Sequence, residues 1–249
     1  MMFHVAVLAA AGLLAGVMNA LAGGGSFVTF PALLLAGLDP RAANVTSTIA
    51  LFPSQAASGW TGRGMAAGAA GLSLATLFIV SVAGGAIGAA LLLATPVSAF
   101  THLVPWLILF STVVFAWGSF FKRNKAGGEK PPISPRIAVA LQFLISVYGG
   151  YFGGGIGFLM LAALTAVGLG ARAAGATKNV LAGVVNVAAV VIFLLESKQK
   201  WVLVLALGVF AILGGQAGVL VLRFLPEKIL RLVVCAAGAA LTIGMFMRA

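Results

Sequence analysis

Long apolar runs, broken at short polar or Gly/Pro-marked points, set the pattern of this chain. A membrane-spanning helix needs about 20 predominantly apolar residues. Runs near that length cover residues 3–22, 40–61, 68–94, 96–121, 135–152, 171–195 and 201–222, with a last run ending near Met247. Two shorter apolar arms, 26–37 and 156–168, follow the first and fifth runs. Each arm is cut from its run by a glycine triplet, Gly23-Gly24-Gly25 or Gly153-Gly154-Gly155. Glycine inside a helix costs about 1 kcal/mol relative to alanine, so a triplet at the same place in two apolar runs reads as a deliberate interruption. Asp39-Pro40 gives a helix start, Asp as N-cap and Pro at the first helical position. Pro53 predicts a kink.

Adding 130 to the first half reproduces much of the second. Gly23–Gly25 maps to Gly153–Gly155, Gly84-Gly85-x-x-Gly88 to Gly214-Gly215-x-x-Gly218, and Pro96 to Pro226. With a shift of one residue, Arg41-Ala42-Ala43-x-x-Thr46 maps to Arg172-Ala173-Ala174-x-x-Thr177. Internal repeats of this kind are frequent in secondary transporters. The two Gly-x-x-x-Gly spacings predict helix-contact faces. The division is an N-terminal repeat over 1–121, a polar linker over 122–134 and a C-terminal repeat over 135–249. The expected fold is an all-α polytopic membrane protein of two inverted repeats, each with about five helical elements. That makes eight long helices plus two short arms, with Gly-tipped broken-helix hairpins.

Composition supports this class. Hydrophobic residues are 62% of 249 and charged residues 8%, against about 25% charged in an ordinary soluble domain. The net charge of +11 is not read as a nucleic-acid footprint, because the Lys and Arg residues sit at segment ends, where they orient helices. If each glycine-tipped pair is a hairpin and the linker is cytoplasmic, ten basic residues lie inside against four outside. If each pair crosses once, the count is nine against five, with Arg223, Lys228 and Arg231 stranded outside. The hairpin arrangement, with both chain ends outside, fits the positive-inside rule better. The front of the first run, Met1-Met2-Phe3-His4, lacks Lys and Arg, and its Gly-rich end recurs later, so it reads as mature structure rather than a signal peptide. The single cysteine, Cys235, lies in an apolar run and reads as packing.

Candidate chemistry is sparse. Asp39, Glu129, Glu196 and Glu227 all fall at segment ends or in loops. Lys178 is the exception among charged residues, about 10 Å into its run. A lysine at that depth faces a bundle interior or cavity, or snorkels to the surface. A buried cation with no neighbouring carboxylate favours an anionic ligand. The triplets add irregular backbone, which at membrane depth is buried in protein or lines a cavity. Backbone N–H groups at Gly24, Gly25, Ser26, Gly154 and Gly155 lie at the starts of the arms, where helix dipoles favour anions; the competing reading is a tight turn only. Polar residues cluster on the runs after each hairpin: Asn44, Thr46 and Gln55 on one, Thr177, Lys178, Asn179 and Asn186 on the other. The repeat offset pairs Gln55 with Asn186. Asn19, just before the first triplet, completes the set. Hydroxyls alone often bond back to their own helix. His4 and His102 read as interface packing, and Trp60, Trp106, Trp117 and Trp201 as interfacial anchors. Neither zinc-ligand spacing, a phosphate-binding loop nor a nucleophile–base pair is present. No metal, cofactor or enzymatic activity is expected.

The motifs Gly16-x-x-Asn19-x-x-Ala22-Gly23-Gly24-Gly25-Ser26, Phe30-Pro31-x-Leu33 and Ala43-Asn44-x-Thr46-Ser47 resemble the TauE/SafE group of sulfite exporters and sulfonate uptake permeases. Tyr148-Gly149-Gly150-Tyr151-Phe152-Gly153-Gly154-Gly155-Ile156-Gly157 and Ala176-Thr177-Lys178-Asn179 are similar to the second repeat of that family. The resemblance implies a multi-pass transporter of the bacterial inner membrane, its central loop cytoplasmic, carrying a sulfur-containing anion such as sulfite or a sulfonate. The expected mechanism is alternating access around Asn19, the two glycine tips and the polar residues of the following helices. An anion channel is the alternative, and a non-transport membrane factor a more distant one. The partners are a small anion and the lipid bilayer, with no nucleic acid. The identity and direction of the anion, proton coupling, and the choice of monomer or homodimer stay open.

Overall fold

The computed structural model describes residues 2–21, 23–117, 134–196, 199–221 and 227–247. Among them are ten α-helices: α1 (Met2–Leu21), α2 (Ser26–Leu35), α3 (Pro40–Gly62), α4 (Leu74–Ala94), α5 (Val97–Ala116), α6 (Pro135–Tyr151), α7 (Ile156–Ala166), α8 (Ala171–Glu196), α9 (Trp201–Val221) and α10 (Glu227–Phe246). A 3-10 turn, Arg63–Met65, follows α3. The chain is an all-α membrane protein, and the expected eight long helices and two short arms are present. The helices α4, α5 and α8 contain windows long and apolar enough to cross a membrane by themselves. Residues 118–133, which include most of the expected linker, lie outside the described residues, as do Lys198, Arg223, Pro226 and Arg248.

The helix ends follow local chemistry. Asp39 caps α3 by accepting the Ala42 N–H at 3.0 Å, with Pro40 at the first position. Ser134 does the same for α6 through Ile137 N–H, with Pro135 next. One predicted boundary is corrected. Residues 68–73 do not extend α4, because Gly71 takes the left-handed region (φ 77°), Ala69 and Leu72 form an isolated bridge, and Ser73 caps Thr76 at 3.0 Å.

The packing partners repeat in a regular way. Helix α1 lies along α9, and α6 lies along α4; α3 packs on α8, and α5 on α10. Exchanging the two halves leaves this set of pairs unchanged. The glycine spacings read from the sequence sit at these contacts. A methyl group on Gly84 would stand 2.6 Å from Ser146 Cβ on α6, and one on Gly214 would overlap the Leu13 carbonyl on α1. Small residues here let backbones approach closely enough for dispersion contact along whole helices. Aromatic rings gather at the end of α6, just before the second glycine triplet: Phe152 meets Phe30 edge-on at 5.9 Å, and Phe100 meets Tyr151 at 5.6 Å.

Candidate functional site

The two glycine tips meet. A side chain on Gly23, which sits at φ 84°, would begin 3.0 Å from Gly157 Cα and 3.5 Å from Lys178 Nζ. Around this junction is a cavity of about 20 Å³ lined by Asn19, Gly23, Gln55, Ser58, Ile156, Gly157, Lys178, Asn179 and Ala182. Its wall comes from α1 and its tip, the second half of α3, the first turn of α7, and the second and third turns of α8. This volume holds about one water.

Lys178 retains 5% exposure, so its ammonium does not reach the surface by snorkelling. The cavity wall contains neither Asp nor Glu. An ammonium buried without a counter-ion costs several kcal/mol, a cost that a bound anion offsets. Asn19 is 7% exposed. Its Oδ1 accepts the Gly25 N–H at 2.9 Å, while its Nδ2 is buried without a protein partner. Gln55 Oε1 accepts from Asn186 Nδ2 across the α3–α8 contact. The repeat-equivalent pair therefore meets, each residue from one half. Ile156 and Gly157 open α7 after Gly155, which is left-handed at φ 80°. A helix N-terminus carries partial positive charge, so the dipole of α7 adds to the ammonium.

Of the residues singled out from the sequence, Asn19, Gln55, Lys178 and Asn179 line this cavity, and Asn186 is bonded to one of them. The others are placed elsewhere. The Gly25 N–H is already taken by Asn19, so it is not free for a ligand. Gly24 packs on the Phe158 ring. Ser26 opens α2 and does not line the cavity. The Gly154 carbonyl accepts the Tyr148 hydroxyl at 2.7 Å, and Gly155 lies against Ser111. Asn44 donates to the Tyr151 carbonyl at 3.1 Å, satisfying an orphan group at the end of α6. Thr46 is buried on α3 away from the lining. The Thr177 hydroxyl clasps Ala67, accepting from its N–H at 2.9 Å and donating to its carbonyl at 3.1 Å. Gly23 enters as part of the first tip, whereas the sequence reading misses Ser58 and Gly157. Ser58 is three residues from Gln55, hence on the same helix face, and that spacing was the available signal.

A family model described as sulfite exporter TauE/SafE matches residues 8–245. The chain is 32% identical over 222 residues to a protein of Sinorhizobium sp. called probable membrane transporter protein ORF9, covering 87% of this chain and 82% of the relative. It is 29% identical over 220 residues to a probable membrane transporter protein of Haemophilus influenzae, covering 86% of this chain and 83% of the relative.

Proposed function

This chain belongs to the sulfite exporter TauE/SafE family and is a membrane transporter, and from that premise we propose that it moves a small sulfur-containing oxyanion, sulfite or a sulfonate, across the bacterial inner membrane by alternating access. The observation that carries the reading is Lys178: a buried ammonium at the junction of the two hairpin tips, in one cavity wall with Asn19, whose Nδ2 has no protein partner, and with no carboxylate in that wall. Donors converging from α1, α3 and α8 suit a head group with several acceptor oxygens. The two halves, 1–121 and 135–249, act as inverted repeats with the loop between them cytoplasmic, and the site lies where they meet.

The small cavity favours a carrier over an open anion channel, since a conducting pore needs a continuous opening and this one holds about one water. Closure of the tips around an anion and their reopening on the other side is the transport step. It involves binding, and no bond in the substrate is made or broken. The test is sulfite and sulfonate uptake into proteoliposomes under an imposed proton gradient. Accumulation above the external concentration supports a coupled carrier. Rapid non-saturable flux that only equilibrates the anion would replace the carrier with a channel, and absence of flux for every oxyanion would remove the substrate class.

A further inference from the structure

Two side-chain amides in the cavity wall each have their oxygen committed from behind. Asn19 Oδ1 is held by the Gly25 N–H at 2.9 Å. Gln55 Oε1 is held by Asn186 Nδ2. An amide side chain has one acceptor oxygen and one NH2 with two donors. Tying the oxygen leaves the NH2 as the group free to bond a ligand, and Asn19 Nδ2 is buried without a protein partner. Lys178 adds an ammonium, which has donors only. Ser58 spends its proton on the Ser54 carbonyl at 3.0 Å and offers lone pairs. Asn179 is the remaining polar side chain of the wall. Asn186 is 3% exposed and does not line the cavity, so any effect it has on a ligand passes through Gln55.

We infer that Asn186 is a positioning residue for specificity: by donating to Gln55 Oε1 it turns the Gln55 NH2 toward the substrate. Gln55, Asn19 and Lys178 then favour a head group of acceptor oxygens over one carrying its own donors. The inference rests on the oxyanion reading above and adds to it the residue that enforces the preference. Without Asn186 the Gln55 amide is free to rotate and to present its oxygen to the anion, where two partial negative charges oppose each other. The two tethers come from different sources, a backbone N–H at the first glycine tip and a side chain on α8. The same result is thus reached on the α1 and α3 sides of the cavity.

A double-mutant cycle on the purified full chain in lipid nanodiscs tests this, with sulfite and methanesulfonate as probes in calorimetric titration. Asn186→Leu is expected to weaken sulfite binding by roughly tenfold, the scale of one hydrogen bond to a charged group. In a Gln55→Leu background the same substitution is expected to cause no further loss. Asn186→Ser, which keeps a hydroxyl donor, is expected to recover part of the affinity, which separates orientation from misfolding. The preference for methanesulfonate over its amino-substituted analogue is expected to shrink in Asn186→Leu. An equal loss in both backgrounds would overturn the inference, because it would show Asn186 acting independently of Gln55. Saturable binding by the wild type that Asn186→Leu leaves unchanged would overturn the inference alone. Absence of saturable oxyanion binding by the wild type would overturn the functional reading and this inference with it.

Discussion

Among single residues, the division that bears on binding is between polar groups that are satisfied and those that are not. Asn19 leaves a donor uncommitted in the same wall as Lys178, whereas the Thr177 hydroxyl both accepts from and donates to Ala67 and Asn44 donates to the Tyr151 carbonyl. Lys178→Ala is expected to weaken sulfite binding by tenfold or more, because it deletes the charge partner of a desolvated anion; titration of the purified variant measures it. Asn19→Leu is expected to act twice. It removes a donor from the cavity and strips the Gly25 N–H of its acceptor, costing about 1–3 kcal/mol of stability, read as a lower melting temperature. Thr177→Val is expected to carry a similar stability cost through loss of its two bonds to Ala67, with anion affinity close to that of the wild type. Adjacent positions on α8 thus separate by readout: 177 in melting, 178 in binding.

At the scale of elements, the sequence pattern located the helices well because their ends carry local signals. Asp39-Pro40 and Ser134-Pro135 place a cap and a proline at successive positions, and the glycine triplets stand alone between apolar arms. The apolar pattern starts α4 too early because residues 68–73 are as apolar as a helix; the left-handed Ala70 and Gly71, the Ala69–Leu72 bridge and the Ser73 cap distinguish them. In the candidate site, Asn19, Gln55 and Lys178 were legible as polar groups at membrane depth. That the Gly25 N–H is already bonded to Asn19 was not, since it depends on how the chain folds back at the tip. Ser58 was passed over because a lone helical hydroxyl bonds its own backbone, as this one does to Ser54. The packing glycines give the test at this scale. Gly214→Val on α9 is expected to destabilise by about 1–3 kcal/mol through overlap with the Leu13 backbone on α1, seen as a lower melting temperature in detergent. A neighbouring exposed position such as Leu213→Val is the control.

At the scale of the molecule, the cavity lies nearer one end. Gln55 and Ser58 fall about two-thirds of the way along α3 or further, at 1.5 Å per residue, toward Gly62, which sits against Ala176 at the start of α8. The opposite end is tied shut. Arg41 donates to the Thr95 carbonyl at 3.0 Å, Tyr151 donates to the Thr95 hydroxyl at 3.3 Å, and Phe30, Phe100 and Phe152 pack between. On the proposed orientation, with Arg63 at the cytoplasmic end, we expect this arrangement to be the one closed to the outside. A cysteine placed at Ser58 in a Cys235→Ala chain is expected to react with a membrane-impermeant maleimide added from the cytoplasmic side and to be protected from the outer side. The reverse pattern would invert the assignment.

An oxyanion held against Lys178 where the two tips meet is expected to support sulfite counterflow. Proteoliposomes preloaded with unlabelled sulfite are diluted into a trace of radiolabelled sulfite, beside matched vesicles carrying Lys178→Ala. The wild type is expected to show a transient, saturable accumulation of label and the variant none. Equal counterflow by both proteins would take Lys178 out of the site, and a wild type without counterflow would contradict carriage of sulfite itself.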